Sequence, residues 1–237
     1  MKRRRLGQHY LVDHQVVSRI VSFADIGPSE RVLEIGTGRG AITKELARRG
    51  ASFVGYEVDE ANFEETCRVV EGADARIVHA DAFDERPVFD VLVASLPYSE
   101  SGRFVQWLSG ISFARAVVVL QEDFVRKMLS PPGTRDYRGI SALAQLCFRA
   151  RILGRVGRDS FSPQPRVNSV IVTMEPKRTI TRAEASNVIR LFSLRRRRVD
   201  SALAELGMES RESFGQRRVV SLMPDEVHML CLPQGVR

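Results

Sequence analysis

Two features that mark membrane and secreted proteins are absent from this sequence of 237 residues. No segment approaches the roughly 18 consecutive apolar residues that a membrane-spanning helix needs, which excludes such a helix. The N-terminus begins with a basic segment, but no continuous apolar stretch follows it, so a secretory signal peptide is not predicted. The protein is therefore expected in the cytoplasm.

Cysteine and histidine are scarce. The three cysteines, Cys67, Cys147 and Cys231, are widely spaced and contain no CxxC pair, so the sequence predicts neither a disulfide framework nor a zinc knuckle. The four histidines also lack the spacing of metal ligands. We therefore expect no metal site.

The charge is strongly basic. The chain has 36 Lys and Arg against 29 Asp and Glu, a net charge of +7, and nearly all the basic residues are arginine. A biased genomic composition would explain this, but the clustering favours a polyanionic partner, because the planar guanidinium binds phosphate in a bidentate manner. We therefore expect RNA binding by two basic clusters, made of Arg3, Arg4, Arg5, Arg195, Arg196, Arg197 and Arg198.

Strands and helices are predicted to alternate from residue 31 onward. The predicted strands are Arg31–Ile35, Ser52–Glu57, Arg76–His79, Asp90–Ser95 and Ala114–Gln121, and the helices are Ala41–Arg49, Glu60–Val70, Gly102–Leu108 and Glu122–Leu129. A further helix, His14–Phe23, precedes them with Asp13 as its N-cap. Because several strands are apolar on consecutive residues, we expect a parallel sheet covered by helices on both faces, a doubly wound α/β domain.

The end of this domain narrows the fold class. After a helix at Ile140–Cys147, two strands, Ala150–Val156 and Asn168–Met174, follow without a helix between them. They predict an antiparallel hairpin at the sheet edge, which is typical of a class I methyltransferase and not of a dehydrogenase. The domains are expected at residues 1–176 and 177–237, the second small, helical and basic.

A glycine-rich loop follows the first strand of the alternation, from Glu34 to Ala41. Glycines in such a turn let the backbone approach a ligand at the N-terminus of the next helix. The pattern also fits a dinucleotide site (GxGxxA) or a plain tight turn. Glu57, at the end of the second strand, is a candidate for ribose hydroxyls, and Asp81, after the third, for an adenine amino group; Asp81 is alternatively a helix N-cap.

The segment Ser95-Leu96-Pro97-Tyr98 decides between these alternatives. Pro97 forces an extended conformation on Leu96, whose carbonyl then lies beside the Tyr98 ring. This arrangement suits methylation of an exocyclic amine on a base, because oxygen acceptors hold the amine and an aromatic ring stacks on the flipped base.

Together these segments resemble the KsgA-type family of small-subunit rRNA adenine dimethyltransferases over nearly the whole chain. The matching motifs are Gly7-Gln8-His9-Tyr10-Leu11, the loop from Glu34 to Gly40, His79-Ala80-Asp81-Ala82, Leu120-Gln121-Glu122, the segment from Phe161 to Ser169 that fits FxPxPxVxS, and the C-terminal signatures around Leu191, Arg195 to Arg198, Arg218 and Pro224. The fold thus implied is a Rossmann-like class I S-adenosylmethionine (SAM)-dependent methyltransferase with a small C-terminal helical domain.

The resemblance also implies the site and the substrate. Catalysis would involve Ser95, Leu96, Pro97, Tyr98 and Phe161. SAM would be held by Gln8, His9, Leu11, Glu34, Gly36, Gly38, Glu57, Val58, Asp81, Ala82 and Ser95. The expected reaction is dimethylation of two adjacent adenosines near the 3′ end of small-subunit rRNA, by a monomer acting on a precursor of the small ribosomal subunit.

The departure from the family pattern that bears on the chemistry is Ser95, where the family usually has Asn; Tyr10 in place of Phe and the segment Ser99-Glu100-Ser101 are further departures. The shorter hydroxyl raises two alternatives to a full dimethyltransferase: a ribosome-assembly or RNA-binding factor with weakened activity, or an enzyme that adds one methyl group. An Erm-type large-subunit rRNA methyltransferase is a third alternative, and a nicotinamide-dependent oxidoreductase ranks last.

Overall fold

The computed structural model describes residues 9–208, 210 and 212–231. In this part of the chain the strands are β1 (Tyr10–Leu11), β2 (Val32–Ile35), β3 (Phe53–Glu57), β4 (Ala75–His79), β5 (Val91–Ser95), β6 (Arg115–Gln121), β7 (Phe148–Val156), β8 (Phe161–Ser162) and β9 (Ser169–Pro176). The α-helices are α1 (His14–Ala24), α2 (Ala41–Arg48), α3 (Glu60–Val69), α4 (Ser101–Leu108), α5 (Glu122–Met128), α6 (Gly139–Cys147), α7 (Arg182–Ser193), α8 (Val199–Leu206) and α9 (Pro224–Cys231).

The described strands form a mostly parallel central sheet in the order β4-β3-β2-β5-β6-β9-β7. Strands β2 to β6 pair in parallel, and β9 runs antiparallel to β6, with Gln121 opposite Ser169. The class I methyltransferase fold predicted from the sequence is confirmed, with the late strands β9 and β7 at one end of the sheet. Strand β9 lies inside, next to β6, and β7 forms the edge.

The middle of the sheet is apolar because it is covered on both faces. The residues of β5 from Val91 to Ala94 are fully buried, as are Ala116, Val117 and Val118 of β6. Helix α1 packs on β5 and β6 with its apolar stripe, which includes Val17, Ile20 and Val21. Consecutive apolar residues are the expected signature of strands that contact helices on both sides.

A two-stranded ribbon lies outside this sheet. Strands β1 and β8 pair antiparallel, with Tyr10 opposite Ser162 and Leu11 opposite Phe161. Neither strand is predicted from the sequence. We call β1 and β8 together the β1–β8 ribbon.

The chain divides into two compact units. The first contains residues up to Ser101, Ser112–Glu122 and Arg151–Pro176, and the second contains Gly102–Ile111, Asp123–Ala150 and the chain from Lys177. The sequence placed a single boundary between residues 176 and 177. The chain does pass from the first unit to the second at that point, but residues 102–111 and 123–150, which the sequence assigned to the first domain, cluster with the second unit.

Packing of α6 explains this difference. Seven residues of α6 are buried, which is too many for a helix with a single apolar face. It contacts α7 and α9 of the same unit, and at Gly139 an added Cβ would lie 3.1–3.2 Å from Ile189 and Phe192. The core of the second unit therefore needs α6.

No helix in the described ranges is long and apolar enough to span a membrane.

Candidate active site

The predicted site residues lie along one edge of the sheet, where the parallel strands end. Glu57 is the last residue of β3, Ser95 is the last residue of β5, and Asp81 follows β4. The glycine loop follows β2, between them. Carboxyl ends of parallel strands are where open α/β sheets bind ligands.

The glycine loop is tightly built. Gly38 has a φ of +53°, which favours glycine, and a Cβ on it would lie 3.2 Å from the ring of Tyr10. Tyr10 therefore lies directly over the loop. The guanidinium of Arg39 lies 4.6 Å from the centre of the same ring, and Asn62 Nδ2 donates to the Tyr10 hydroxyl at 3.4 Å.

Glu57 is buried and is held by three backbone donors. Its Oε2 accepts from the Gly38 N–H at 2.7 Å, and its Oε1 accepts from the N–H groups of Val58 and Asp59, both at 2.8 Å. Each carboxylate oxygen has about two acceptor positions, so Oε2 has one left for a ribose hydroxyl and Oε1 has none. If both ribose hydroxyls bind Glu57, one of the two backbone N–H groups must first move away from Oε1.

Glu34 and Asp81 have local partners as well. Thr43 Oγ1 donates to Glu34 Oε2 at 2.7 Å, and burial raises the pKa of the Glu34 carboxyl to about 8. Asp81 caps the short 3-10 helix Ala82–Asp84, because its Oδ1 accepts from the Phe83 N–H at 3.0 Å. The N-cap interpretation of Asp81 is thus correct, and the adenine contact stays a prediction.

A pocket on this edge brings distant segments together. Its lining consists of His9, Ser95, Leu96, Pro97, Tyr98, Val119 and Phe161. The five residues predicted to be catalytic are all among them. Sequence reasoning missed Val119, whose position follows from the parallel register that places it opposite Ser95.

Tyr98 is fixed at two points. Its carbonyl accepts from Ser101 Oγ at 3.0 Å, and its hydroxyl is 2.7 Å from Ser169 Oγ. Burial raises the pKa of the Tyr98 hydroxyl. By contrast, no hydrogen bond to the Ser95 hydroxyl is present among the described residues, so this group is available to a ligand in the pocket.

One wall of the pocket consists of Phe161 of the β1–β8 ribbon and His9, which precedes the ribbon's first strand. His9 Nδ1 is 2.7 Å from the carbonyl oxygen of Pro163, and the His9 ring centre is 5.7 Å from that of Tyr98. His9, predicted to contact the cofactor, thus lies beside the predicted base site. Leu11 is buried opposite Phe161. Gln8 and the N-terminal arginines Arg3, Arg4 and Arg5 lie outside the described residues.

The family model for ribosomal RNA adenine dimethylase matches residues 1–226. The chain belongs to this family. The KsgA-type resemblance is thereby confirmed, and so is the prediction of a SAM-dependent rRNA adenine methyltransferase.

Individual relatives of this rRNA adenine dimethylase family agree. The chain is 32% identical to a probable ribosomal RNA small subunit methyltransferase A of Pyrococcus abyssi, over 94% of this chain and 88% of the relative. A crystal structure of a dimethyladenosine transferase from Plasmodium falciparum shares the fold, with a TM-score of 0.76 and 24% identity over 94% of this chain and 96% of that one. The 23S rRNA methyltransferase ErmE is similar with a TM-score of 0.64 and 25% identity, over 94% and 98% of the two chains.

The loop and the carboxylate at the sheet edge leave the space and the hydrogen-bond acceptor that SAM requires. Space for a ligand remains beside Gly36, where an added Cβ would meet no atom within 4 Å, and Glu57 retains an acceptor position next to the loop. No group of three or more His, Cys, Asp or Glu side chains in the described residues is placed to hold a metal ion.

The basic segment Arg195–Arg198 connects α7 to α8 in the second unit, and residues 196–198 are exposed. Backbone bonds from Val219 N to the Arg197 carbonyl and from Val220 N to the Arg195 carbonyl bring a second basic stretch, with Arg218, beside it. Sequence reasoning did not place Arg218 in this cluster, because the pairing joins residues that are distant in the chain.

Proposed function

We propose that this protein dimethylates the exocyclic amino groups of two adjacent adenosines near the 3′ end of small-subunit rRNA. The observation that carries the proposal is the pocket in which His9, Ser95 to Tyr98 and Phe161 meet at the sheet edge. These residues come from three separate motifs, and all border the place where a flipped base would enter. The names of the relatives, which refer to the small ribosomal subunit, supply the substrate class.

At the end of the site that would bind SAM, the side chains and backbone of this protein would recognise the cofactor. SAM, when bound, supplies an electrophilic methyl group on a positively charged sulfonium. Glu57 would accept a hydrogen bond from the ribose, and Asp81, Ala82 and Val58 would border the adenine. Gly36, where an added Cβ would meet no atom within 4 Å, would leave room for the cofactor beside the loop.

At the base end, the chain positions the nucleophile. Tyr98 and Phe161 would stack on the two faces of the target adenine, which excludes water from the reacting nitrogen. The Ser95 hydroxyl and the Leu96 carbonyl would accept hydrogen bonds from the two N–H groups of the amine. Holding both protons localises the nitrogen lone pair, which otherwise delocalises into the ring. The proton leaves to solvent after the methyl transfer, so no general base is required.

RNA binding would depend on the basic segments. We assign phosphate contacts to Arg195–Arg198 and to the N-terminal Arg3–Arg5. An exposed guanidinium group that binds a phosphate displaces counterions condensed on the RNA, and this release favours binding. The partner would be a precursor of the small ribosomal subunit, bound by one copy of this protein in the cytoplasm.

A second candidate is an assembly factor whose methyl transfer is weak, and Ser95 in place of the family Asn is the observation that favours it. The glycine loop, Glu57 and the pocket all remain, and these argue for a working cofactor site. An Erm-type activity on large-subunit rRNA is not favoured, because the similar methyltransferases described above at 32% identity are named for the small subunit.

Methyl transfer from tritiated SAM to unmethylated small subunits tests the proposal. We expect incorporation into one short 3′-terminal fragment, with dimethyladenosine identified there by mass spectrometry. Free small-subunit rRNA and free large-subunit rRNA serve as parallel substrates, and Tyr98→Ala serves as the inactive control. Incorporation into large-subunit rRNA alone would contradict the proposal, and binding without incorporation would support the assembly factor.

A further inference from the structure

Among the described residues, the hydroxyl of Tyr98 has one hydrogen-bond partner, the hydroxyl of Ser169, at 2.7 Å. Ser169 is fully buried and is the first residue of β9, opposite Gln121 of β6. Tyr98 is half-buried and lines the pocket. The bond therefore joins a rigid position in the central sheet to a ring at the wall of the site.

This bond limits how the Tyr98 ring can rotate. The backbone of Tyr98 is held separately, because its carbonyl accepts from Ser101 Oγ and the Glu100 N–H donates to the Pro97 carbonyl. A backbone held in this way still permits rotation about the side-chain bonds of a half-buried tyrosine. A hydrogen bond at the far end of the ring removes that freedom.

The same chain segment positions the opposing ring. Phe161 begins the segment, in β8, and Ser169 ends it, where the chain re-enters the sheet. One segment thus carries one wall of the pocket and the anchor for the other wall. The segment therefore contacts both aromatic walls, through Phe161 itself and through the bond from Ser169 to Tyr98.

We propose that Ser169 is a positioning residue for methyl transfer, whose hydroxyl holds the Tyr98 ring in the orientation that stacks on the target adenine. This inference rests on the function proposed above. Misplacement of a reacting group by about 1 Å is enough to slow an enzyme strongly, so a fixed ring is expected to matter in the transition state more than in cofactor binding. Burial raises the pKa of the Tyr98 hydroxyl, which therefore stays protonated at neutral pH and keeps the bond.

Four variants test the proposal kinetically: Ser169→Ala, Ser169→Thr, Tyr98→Phe and the double variant Ser169→Ala with Tyr98→Phe. We expect Ser169→Ala to lower kcat about two- to tenfold, the range of one neutral hydrogen bond, and to leave the KM for SAM unchanged. Ser169→Thr, which keeps the hydroxyl, restores kcat. Tyr98→Phe gives the same reduction as Ser169→Ala, and the double variant gives no further reduction, because each change breaks the same bond.

A matched control separates positioning from stability. Ser109 is also buried, and its hydroxyl donates to the Gln106 carbonyl at 2.7 Å, in a helix end that lines no part of the pocket. Ser109→Ala is expected to lower the melting temperature as much as Ser169→Ala does, while kcat stays at the wild-type value. Wild-type kcat in Ser169→Ala, or additive reductions in the double variant, would overturn the proposal.

Fluorine NMR of the Tyr98 ring tests the contact with Ser169 without any methyl transfer, and therefore independently of the proposed function. The chain has four tyrosines, so 3-fluorotyrosine labelling gives a simple fluorine NMR spectrum in which Tyr98→Phe identifies the Tyr98 signal. We expect Ser169→Ala to shift or broaden that signal alone, and Ser169→Thr to restore it. If the signal is unchanged in Ser169→Ala, the positioning role is wrong even when wild-type protein is active. If the signal responds but the wild type methylates no RNA, the proposed function is wrong and the ring anchor stands.

Discussion

At the scale of single residues, Ser95 tests the chemistry of the pocket most directly. Its hydroxyl has no partner among the described residues, and it lines the pocket beside Tyr98. We expect Ser95→Ala to leave SAM binding nearly intact and to slow methyl transfer about two- to tenfold, the effect of one neutral hydrogen bond. Ser95→Asn is expected to speed the second methylation in particular, because a monomethylated amine has one N–H left to be held.

Product analysis by mass spectrometry measures both steps for Ser95. Ser99→Ala is the matched control, since Ser99 is exposed and donates to its neighbour Glu100 at 3.4 Å. If Ser95→Ala and Ser95→Asn both give wild-type amounts of monomethyl and dimethyl product, Ser95 takes no part in the reaction.

Glu34 gives a prediction about pH. Burial raises the pKa of this carboxyl from 4.5 to about 8, so the folded protein keeps a proton that the unfolded chain releases. Between these pH values the folded state binds more protons, and the unfolding free energy falls as pH rises, by up to about 1.4 kcal/mol per pH unit. Glu34→Gln keeps an acceptor for Thr43 and removes the titration.

Urea unfolding of both proteins from pH 4 to 9 measures this effect. We expect the stability of Glu34→Gln relative to wild type to grow between about pH 4.5 and pH 8 and to stay level above it. A difference that is independent of pH would show that Glu34 is ionised in the folded protein.

Residue identities in the site were largely predictable, and their hydrogen bonds were not. The motifs around His9, Ser95 and Phe161 pointed to residues that line the pocket, because the resemblance to the family covers all three motifs. The partner of Tyr98 was not predictable, since Ser169 lies far along the chain and serine hydroxyls are common. The same holds for the three backbone donors of Glu57, which depend on the conformation of two loops.

At the scale of elements, Asp13 links helix α1 to Ser160, the residue that precedes β8. Its Oδ1 accepts from the N–H groups of Gln15 and Val16 and so caps α1, and its Oδ2 accepts from Ser160 Oγ at 3.1 Å. Replacement of an N-cap aspartate by alanine costs about 0.5–2 kcal/mol. We expect Asp13→Ala to lower the unfolding free energy more than Ser160→Ala, which keeps the cap and breaks only the bond to residue 160.

Denaturant unfolding of the two variants measures this difference. Asp59→Ala provides the comparison, because Asp59 caps α3 by accepting from the Asn62 N–H and forms no hydrogen bond to the ribbon within the described residues. Equal decreases in Asp13→Ala and Ser160→Ala would show that the cap itself contributes little.

Long elements were predictable for a physical reason that short ones lack. The apolar runs of β5 and β6 and the stripe of α1 carry several residues each, and their bounds lie within about one residue of the prediction. Strands β1 and β8 have two residues each, too few for any period. Their pairing depends on the tertiary fold, which no local pattern reveals.

At the scale of the whole molecule, the basic charge predicts salt-dependent RNA binding. Arg196 and Arg198 are exposed and have no carboxylate partner in the described ranges, whereas Arg197 pairs with Glu205 at 2.9 Å. We expect Arg196→Ala with Arg198→Ala to weaken RNA binding and to lower the slope of log K against log salt by about 0.7–0.9 for each phosphate that the variant no longer binds.

The control for this charge effect is Arg48→Ala with Arg68→Ala. Both arginines are exposed, and each pairs with a glutamate of its own helix. The control removes the same net charge from another surface, so its slope is expected to stay near that of wild type. Equal slopes for the two double variants would place the RNA-binding surface elsewhere.

The β1–β8 ribbon also has a consequence for how the chain folds. The ribbon and the contact between His9 and Pro163 beside it join residues up to 154 positions apart. Closing so long a loop is entropically costly until the sheet between its ends has formed, so the ribbon is expected to form late in folding. During synthesis, the N-terminal segment cannot form these contacts until residue 163 has left the ribosome. The wall of the pocket that holds Phe161 is therefore absent from every shorter nascent chain.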